Sequence, residues 1–191
     1  MGFVSILSQK SDKIVIFPRN KPFGTQFVID KSEYNYLKER RITMNFNNFT
    51  IKAQEAVQEA VNLTQAHNGQ VIEPIHLLQA VMKVGENVTK FIFQKLGVNG
   101  QQIANVVARQ IESLPKVSGG NPYLSRESND VLQKAVQYSK EMGDEFVSIE
   151  PIILALLVVK STASSILKDA GVSEKELREA INELRKGERV T

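Results

Sequence analysis

The chain contains no cysteine and no tryptophan, and only two histidines among its 191 residues. The missing cysteines exclude a disulfide framework, thiol catalysis and cysteine-ligated zinc together, so packing must hold the fold. The compartment expected for such a chain is reducing, which points to the cytoplasm. Long hydrophobic runs are absent too. The longest, Ile152–Val159, is far short of the roughly 20 residues that span a bilayer, so no membrane partner is expected. Nor do the first residues carry the basic start, long apolar stretch and small-residue cleavage site of a signal peptide.

A net charge of +3 suggests an anionic partner until it is mapped along the chain. The first 43 residues hold eight basic and four acidic groups, a net of +4, while the other 148 hold 16 basic and 17 acidic, a net of −1. A near-neutral body lacks the clustered cationic field that phosphate neutralisation needs, so nucleic acid is disfavoured as its partner. The basicity belongs to the leader. There Lys13–Phe17 and Thr25–Ile29 read as two short strands around Pro18, Pro22 and Gly24, followed by a charged stretch, Ser32–Arg41. Two strands make only a marginal hairpin. Residues 1–43 are therefore expected to be a weakly ordered or hairpin-like leader, with Met44 opening a self-sufficient pattern.

From Thr50 onward apolar residues recur at three- and four-residue spacing with Gly- or Pro-marked breaks, the pattern of consecutive amphipathic helices. The first should run from Thr50 as N-cap to about His67, burying Ala53, Ala56, Val57, Ala60 and Thr64. A second starts at Pro74, a third carries Val88, Ile92 and Leu96 and ends at Gly97, and a fourth spans about Gln101–Glu112 with Ile103, Val106, Val107 and Ile111 inward. After a linker around Pro115–Pro122 the programme repeats. At an offset of 75, Val57 matches Leu132, Ala60 matches Ala135 and Leu63 matches Tyr138. At 77, Glu73-Pro74-Ile75 matches Glu150-Pro151-Ile152. At 74, Gly97-Val98 matches Gly171-Val172 and Val107 matches Ile181. Ser173 followed by Glu176 marks the last helix independently as a capping box. The expected fold is all-α: two four-helix repeats, 50–112 and 125–187 with the linker 113–124 between them, packed about a pseudo-twofold axis as one eight-helix domain over 44–191.

Chemistry-bearing motifs are missing from this frame. There is no phosphate-binding P-loop, no Gly-x-Ser-x-Gly elbow and no metal-ligand spacing, and the two histidines, His67 and His76, sit nine apart on different helices. No enzyme activity, cofactor or metal is expected. Glu73 and Glu150, each just before a proline, are expected to cap or complement the positive end of a helix. The apolar loop residues Phe146, Val147 and Ile149, with Tyr123 and Leu124, either tuck under their loops or line a groove between the repeats.

The stretch Phe49–Ala56, the segment Ile72–Leu78, Tyr123–Glu127 and Met142–Pro151 together resemble the N-terminal domain family of the ClpB disaggregases, over about residues 44–191. The paired Glu-Pro motif resembles ClpB more than the related ClpA and ClpC, and the ending Lys186–Thr191 is similar to the point where such a domain passes to its linker. The resemblance implies a substrate-recognition module of an ATP-dependent chaperone, whose partners are unfolded or aggregated polypeptides, the ATPase modules of the parent hexamer and the DnaK system. It further implies that Thr50, Asp144 and Glu150 are polar positions used in handling aggregates, and that Tyr138 and Pro151 stand at apolar groove positions. Phe146 joins them from the loop pattern. Docking of a folded adaptor, as in the ClpA and ClpC relatives, and anionic binding through the leader are the alternatives.

Overall fold

The computed structural model describes residues 46–117 and 120–191 in full and, of the first 45, the backbone of three strands. The charged stretch Ser32–Arg41, Met44, and Ser118 and Gly119 of the linker lie outside the described residues. The chain divides into two compact units, Met1–Asn45 and Phe46–Thr191.

In the first unit β1 (Phe3–Leu7), β2 (Lys13–Pro18) and β3 (Phe27–Asp30) form an antiparallel sheet in that order. Phe3 pairs with Pro18 and Leu7 with Ile14, while Lys13 pairs with Asp30 and Ile16 with Phe27. The strand Phe3–Leu7 adds a third member to the two-stranded hairpin expected from the sequence. Pro18, lacking a donor, sits at the end of the middle strand.

The second unit is helical. Its eight α-helices are α1 (Ile51–Ala66), α2 (Pro74–Val84), α3 (Glu86–Leu96), α4 (Gly100–Glu112), α5 (Arg126–Glu141), α6 (Ile149–Val158), α7 (Thr162–Asp169) and α8 (Glu174–Arg185). Their starts follow hydroxyl and amide caps. Thr50 Oγ1 accepts from the Ala53 N–H at 3.2 Å, Asn99 Oδ1 from Gln102 at 3.0 Å and Ser125 Oγ from Ser128 at 3.0 Å. Ser173 Oγ accepts from the Glu176 N–H at 3.3 Å and donates to its carboxylate at 2.6 Å. Gly97 (φ 67°) and its repeat counterpart Gly171 (φ 93°) take the positive φ that closes a helix.

The buried stripe of α1 is the expected one. On α3 the inward face is rotated: Thr89 and Phe93 join Ile92 in the interior, whereas Val88 and Leu96 are half-buried. Thr89 can go inside because its hydroxyl donates back to the Gly85 carbonyl at 3.1 Å. Val106 of α4 is likewise half-buried, outside the Ile103–Val107–Ile111 line.

The helix contacts obey the internal twofold. Central helices α2 and α6 pack on each other, and α3 rests on α8 just as its counterpart α7 rests on α4. Nine of the ten residues of α6 are buried, which explains its continuous rather than striped apolar sequence. Among the described residues no single helix is long and apolar enough to cross a membrane.

Two short pairings stitch the repeats together. Val71–Ile72 (β4) runs parallel to Tyr123–Leu124 (β5), so the segment entering α5 pairs with the first repeat. Correspondingly, Phe49 bridges to Val147 in parallel, and the Thr50 N–H donates to the Val147 carbonyl at 2.9 Å. Each repeat's first helix therefore begins on a loop of the other. Truncating Leu154, fully buried in α6, to alanine is expected to lower unfolding free energy by about 3 kcal/mol. Val88→Ala should cost far less, and chemical denaturation of both variants checks the contrast.

Candidate functional site

The loop between α5 and α6 gathers most of the polar residues singled out in the sequence, and it does so around an arginine that the sequence reading missed. Arg185, in the last turn of α8, reaches back beneath this loop. Its Nη1 donates to Asp144 Oδ2 at 2.7 Å, its Nη2 to Ser148 Oγ at 2.9 Å and its Nε to Glu150 Oε1 at 3.1 Å. All three charged side chains are nearly solvent-free, with 9% of Arg185, none of Asp144 and 11% of Glu150 accessible. Burial of two carboxylates is tolerable only with a cation this well placed, and guanidinium geometry serves both at once. The remaining Asp144 oxygen accepts the Val190 N–H at 3.0 Å, and the Glu145 N–H donates to the Val190 carbonyl at 2.8 Å. The C-terminal segment is thereby tied to the same loop.

Glu150 complements the positive end of α6 without capping it. Helix α6 begins one residue before it, so Ser148 takes the cap position and Glu150 falls in the first turn, with its carboxylate turned to Arg185. Glu73, by contrast, stands at the cap position of α2 ahead of Pro74. Its backbone N–H donates to His76 Nδ1 at 2.9 Å. His76 is buried, and that burial, reinforced by the nearby His67, lowers its pKa from the usual 6.5 to about 4. Burial pushes Glu73 upward, opposed by its hydrogen bond with Ser125.

Of the six candidate contact residues, the structure brings Thr50, Asp144, Phe146 and Glu150 to the segments joined by the Phe49–Val147 bridge. Thr50 and Phe146 are partly accessible there, while Asp144 and Glu150 are buried. Tyr138 and Pro151 are buried as well. The Tyr138 ring lies 4.9 Å from the Arg178 guanidinium and 5.1 Å from the Lys134 ammonium. Burial raises its phenol pKa, with Glu174 adding and Arg178 opposing. The loop itself splits: Val147 and Ile149 tuck inward, and Phe146 stays at the surface. The sequence reading also passed over Ile51, which is 76% exposed at the start of α1. It follows the N-cap on the outward face, a position with nothing to bury it. Phe46, packed edge-to-face on Phe49 at 5.1 Å, is half-buried beside it in sequence.

Arg185 does have a sequence signal. Extending the 74-residue offset by one turn matches it to Ile111, so a charge replaces a core residue between copies. Among the described residues no cluster of three or more histidine and acidic side chains could hold a metal.

The second unit is thus a duplicated four-helix unit whose repeats are bridged at two places and whose Arg185, Asp144 and Glu150 charges are paired inside. The comparisons with known proteins place it: residues 48–170 match the model of the Clp repeat N-terminal domain, and the chain belongs to that family. Over 148 residues it is 80% identical to the chaperone protein ClpB of Bacteroides thetaiotaomicron, and over 148 residues 55% identical to that of Porphyromonas gingivalis. Each alignment covers 78% of this chain and 17% of the relative, so the chain spans about a sixth of the curated relatives' length. Its fold is that of the Hsp104 N-terminal domain from Candida albicans, with a TM-score of 0.68 at 23% identity over 75% of this chain and 95% of that one. A ClpV N-domain solved in complex with a VipB peptide superposes with a TM-score of 0.61 at 16% identity, over 74% and 89% of the two chains.

Two measurements test this geometry. Replacing Arg185 with methionine leaves two buried carboxylates uncompensated and is expected to cost about 3 to 5 kcal/mol of unfolding free energy. Neutralising all three groups together, as D144N/E150Q/R185M, should recover most of that loss. For His76, the unfolded chain binds a proton between pH 6.5 and about 4 that the folded domain does not. Stability is then complete above pH 6.5 and falls as the pH drops toward 4, by about 2 kcal/mol between pH 7 and 5. In H76N, where an amide oxygen can accept in place of Nδ1, this part of the acid sensitivity should vanish from denaturation curves.

Proposed function

We propose that this domain captures exposed apolar segments of unfolded or aggregated polypeptides for a ClpB-type disaggregase. The observation that carries the reading is Ile51, exposed on the surface beside the bridge that joins the two repeats. Half-buried Phe46 and Phe146 flank the same bridge in sequence. Together the three side chains offer apolar surface around the bridge, and apolar surface marks a contact site where it is contiguous. The peptide held by the ClpV N-domain, a structure of the same fold, and the ClpB relatives support a polypeptide as the partner.

Within this reading Thr50 and Phe146 meet the polypeptide. Asp144 and Glu150 act from beneath, by fixing the loop that presents Phe146 on Arg185, and Tyr138 and Pro151 contribute through packing. Capture is weak and rapidly reversible, because apolar burial at roughly 25 cal/mol per Å² is offset by the cost of association. Coupling of captured chains to ATP-driven threading and to the DnaK system belongs, in the same reading, to the longer protein.

Titration of the 191-residue chain with an unfolded model substrate, followed by amide chemical shifts, is expected to move residues 46–51 and 145–148. Ile51→Ser should weaken capture roughly tenfold, as expected for losing about 1.4 kcal/mol of apolar contact, without changing the melting temperature appreciably. Shifts confined to other surfaces, or undiminished capture by the variant, would contradict the assignment.

A further inference from the structure

Helix caps fix how the two repeats correspond around their first and last helices. Thr50 and Ser125 cap α1 and α5, an offset of 75, and Asn99 and Ser173 cap α4 and α8, an offset of 74. Leu63 of α1 therefore answers to Tyr138 of α5, and Ala104 of α4 to Arg178 of α8. In repeat two the Tyr138 ring is 3% exposed and lies 4.9 Å from the Arg178 guanidinium and 5.1 Å from the Lys134 ammonium. An aromatic ring under two cations thus stands between α5 and α8. In repeat one a leucine and an alanine hold the same places, shorter by a ring and by a guanidinium with its stem. What remains is a cleft of about 700 Å³ bounded by α1, α2, α3 and α4.

Its walls suit an aromatic guest. Leu63, Met82, Val98 and Ala104 are half-buried along it, and the buried Phe93 lines it as well. Each half-buried apolar side chain still has surface to remove from water. A methionine sulfur and a phenyl ring both make favourable contacts with a second ring. Of the two lysines that line the cleft, Lys83 is already paired with Glu59 at 2.6 Å. Lys90 forms no ion pair among the described residues, not even with Glu86 one turn before it. The cleft therefore keeps what surrounds Tyr138 in the second repeat, apolar packing and a cation at the edge, without the ring.

We infer that this cleft receives an aromatic side chain of a bound polypeptide, seated beside α1 and α4 as Tyr138 is seated between α5 and α8. The inference rests on the polypeptide-capture reading and adds a second contact to it, about three turns along α1 from Ile51. An aliphatic side chain fills the same volume but has no ring face to offer the Lys90 ammonium. An acidic one would pair with Lys90 but is opposed by Glu86 and by the apolar walls.

Amide chemical shifts of the 191-residue chain, titrated with N-acetyltyrosine amide, N-acetylphenylalanine amide and the saturated isostere N-acetylcyclohexylalanine amide, test this directly. Both aromatic amides are expected to move Leu63 and residues 82–104. The cyclohexyl amide should bind there roughly two- to fivefold more weakly, as for loss of a cation–π contact. Leu63→Tyr, which gives the first repeat the ring of the second, should abolish the response while a cooperative melting transition shows that the domain still folds. Should Leu63→Tyr fail to fold, Ala104→Leu, narrowing the cleft from α4, decides in its place by weakening the aromatic response or leaving it intact. Cyclohexyl binding as tight as aromatic binding, shifts absent or located elsewhere, or a response indifferent to the variant would overturn the assignment. Capture of an unfolded substrate, measured on the same proteins, separates the two readings. Aromatic amides left unbound while capture persists reject the cleft assignment alone, and loss of both in wild-type protein rejects the capture reading.

Discussion

A single guanidinium, carried in by the last turn of α8, decides the shape of the second repeat. Asp144, Ser148 and Glu150 come from a loop and a helix start that would otherwise repel one another, and Arg185 binds all three. The arrangement is strong only as a set, since each charge is buried and depends on the others. Through Asp144 it also holds Val190, so the loop, the start of α6, the end of α8 and the C-terminal segment are tied together. The accessible residues Thr50 and Phe146 owe their positions to this knot and to the bridge beside it.

The first repeat reaches the same backbone by different means. Around its corner stand an isoleucine, a neutral histidine in the first turn of α2 and a His67–Glu112 pair in which the helix end bears the acid. In the second repeat the helix end bears the base. Duplication has therefore preserved the packing of α2 on α6 while the two corners diverged in charge. A conserved frame with divergent corners gives one domain two chemically distinct surfaces.

Most of the frame is legible in the chain because its signals are local. Thr50, Asn99, Ser125 and Ser173 announce helix starts by their own side chains, and Gly97 and Gly171 announce ends by their backbone freedom. The pairing of α2 with α6 follows from the two Glu-Pro-Ile triplets. What was not legible is set by contacts distant in sequence. Asp144 and Glu150 look like exposed loop carboxylates until Arg185, 41 and 35 residues away, is seen to be their partner. Ile51 lies one residue beyond a cap, where periodicity alone does not say which face it takes. Helix α3, whose inward face is turned to Thr89 and Phe93, packs on α8, a helix from the other repeat.

The bridge between Phe49 and Val147 spans 98 residues of chain. Closing so long a loop is entropically costly and comes late in folding. During synthesis from the N-terminal end, the entrance to α1 has no partner until the loop of the second repeat has left the ribosome. Phe49, buried in the folded domain, stays uncovered for that interval between Phe46 and Ile51, so the chain displays an apolar segment of its own while it is being made.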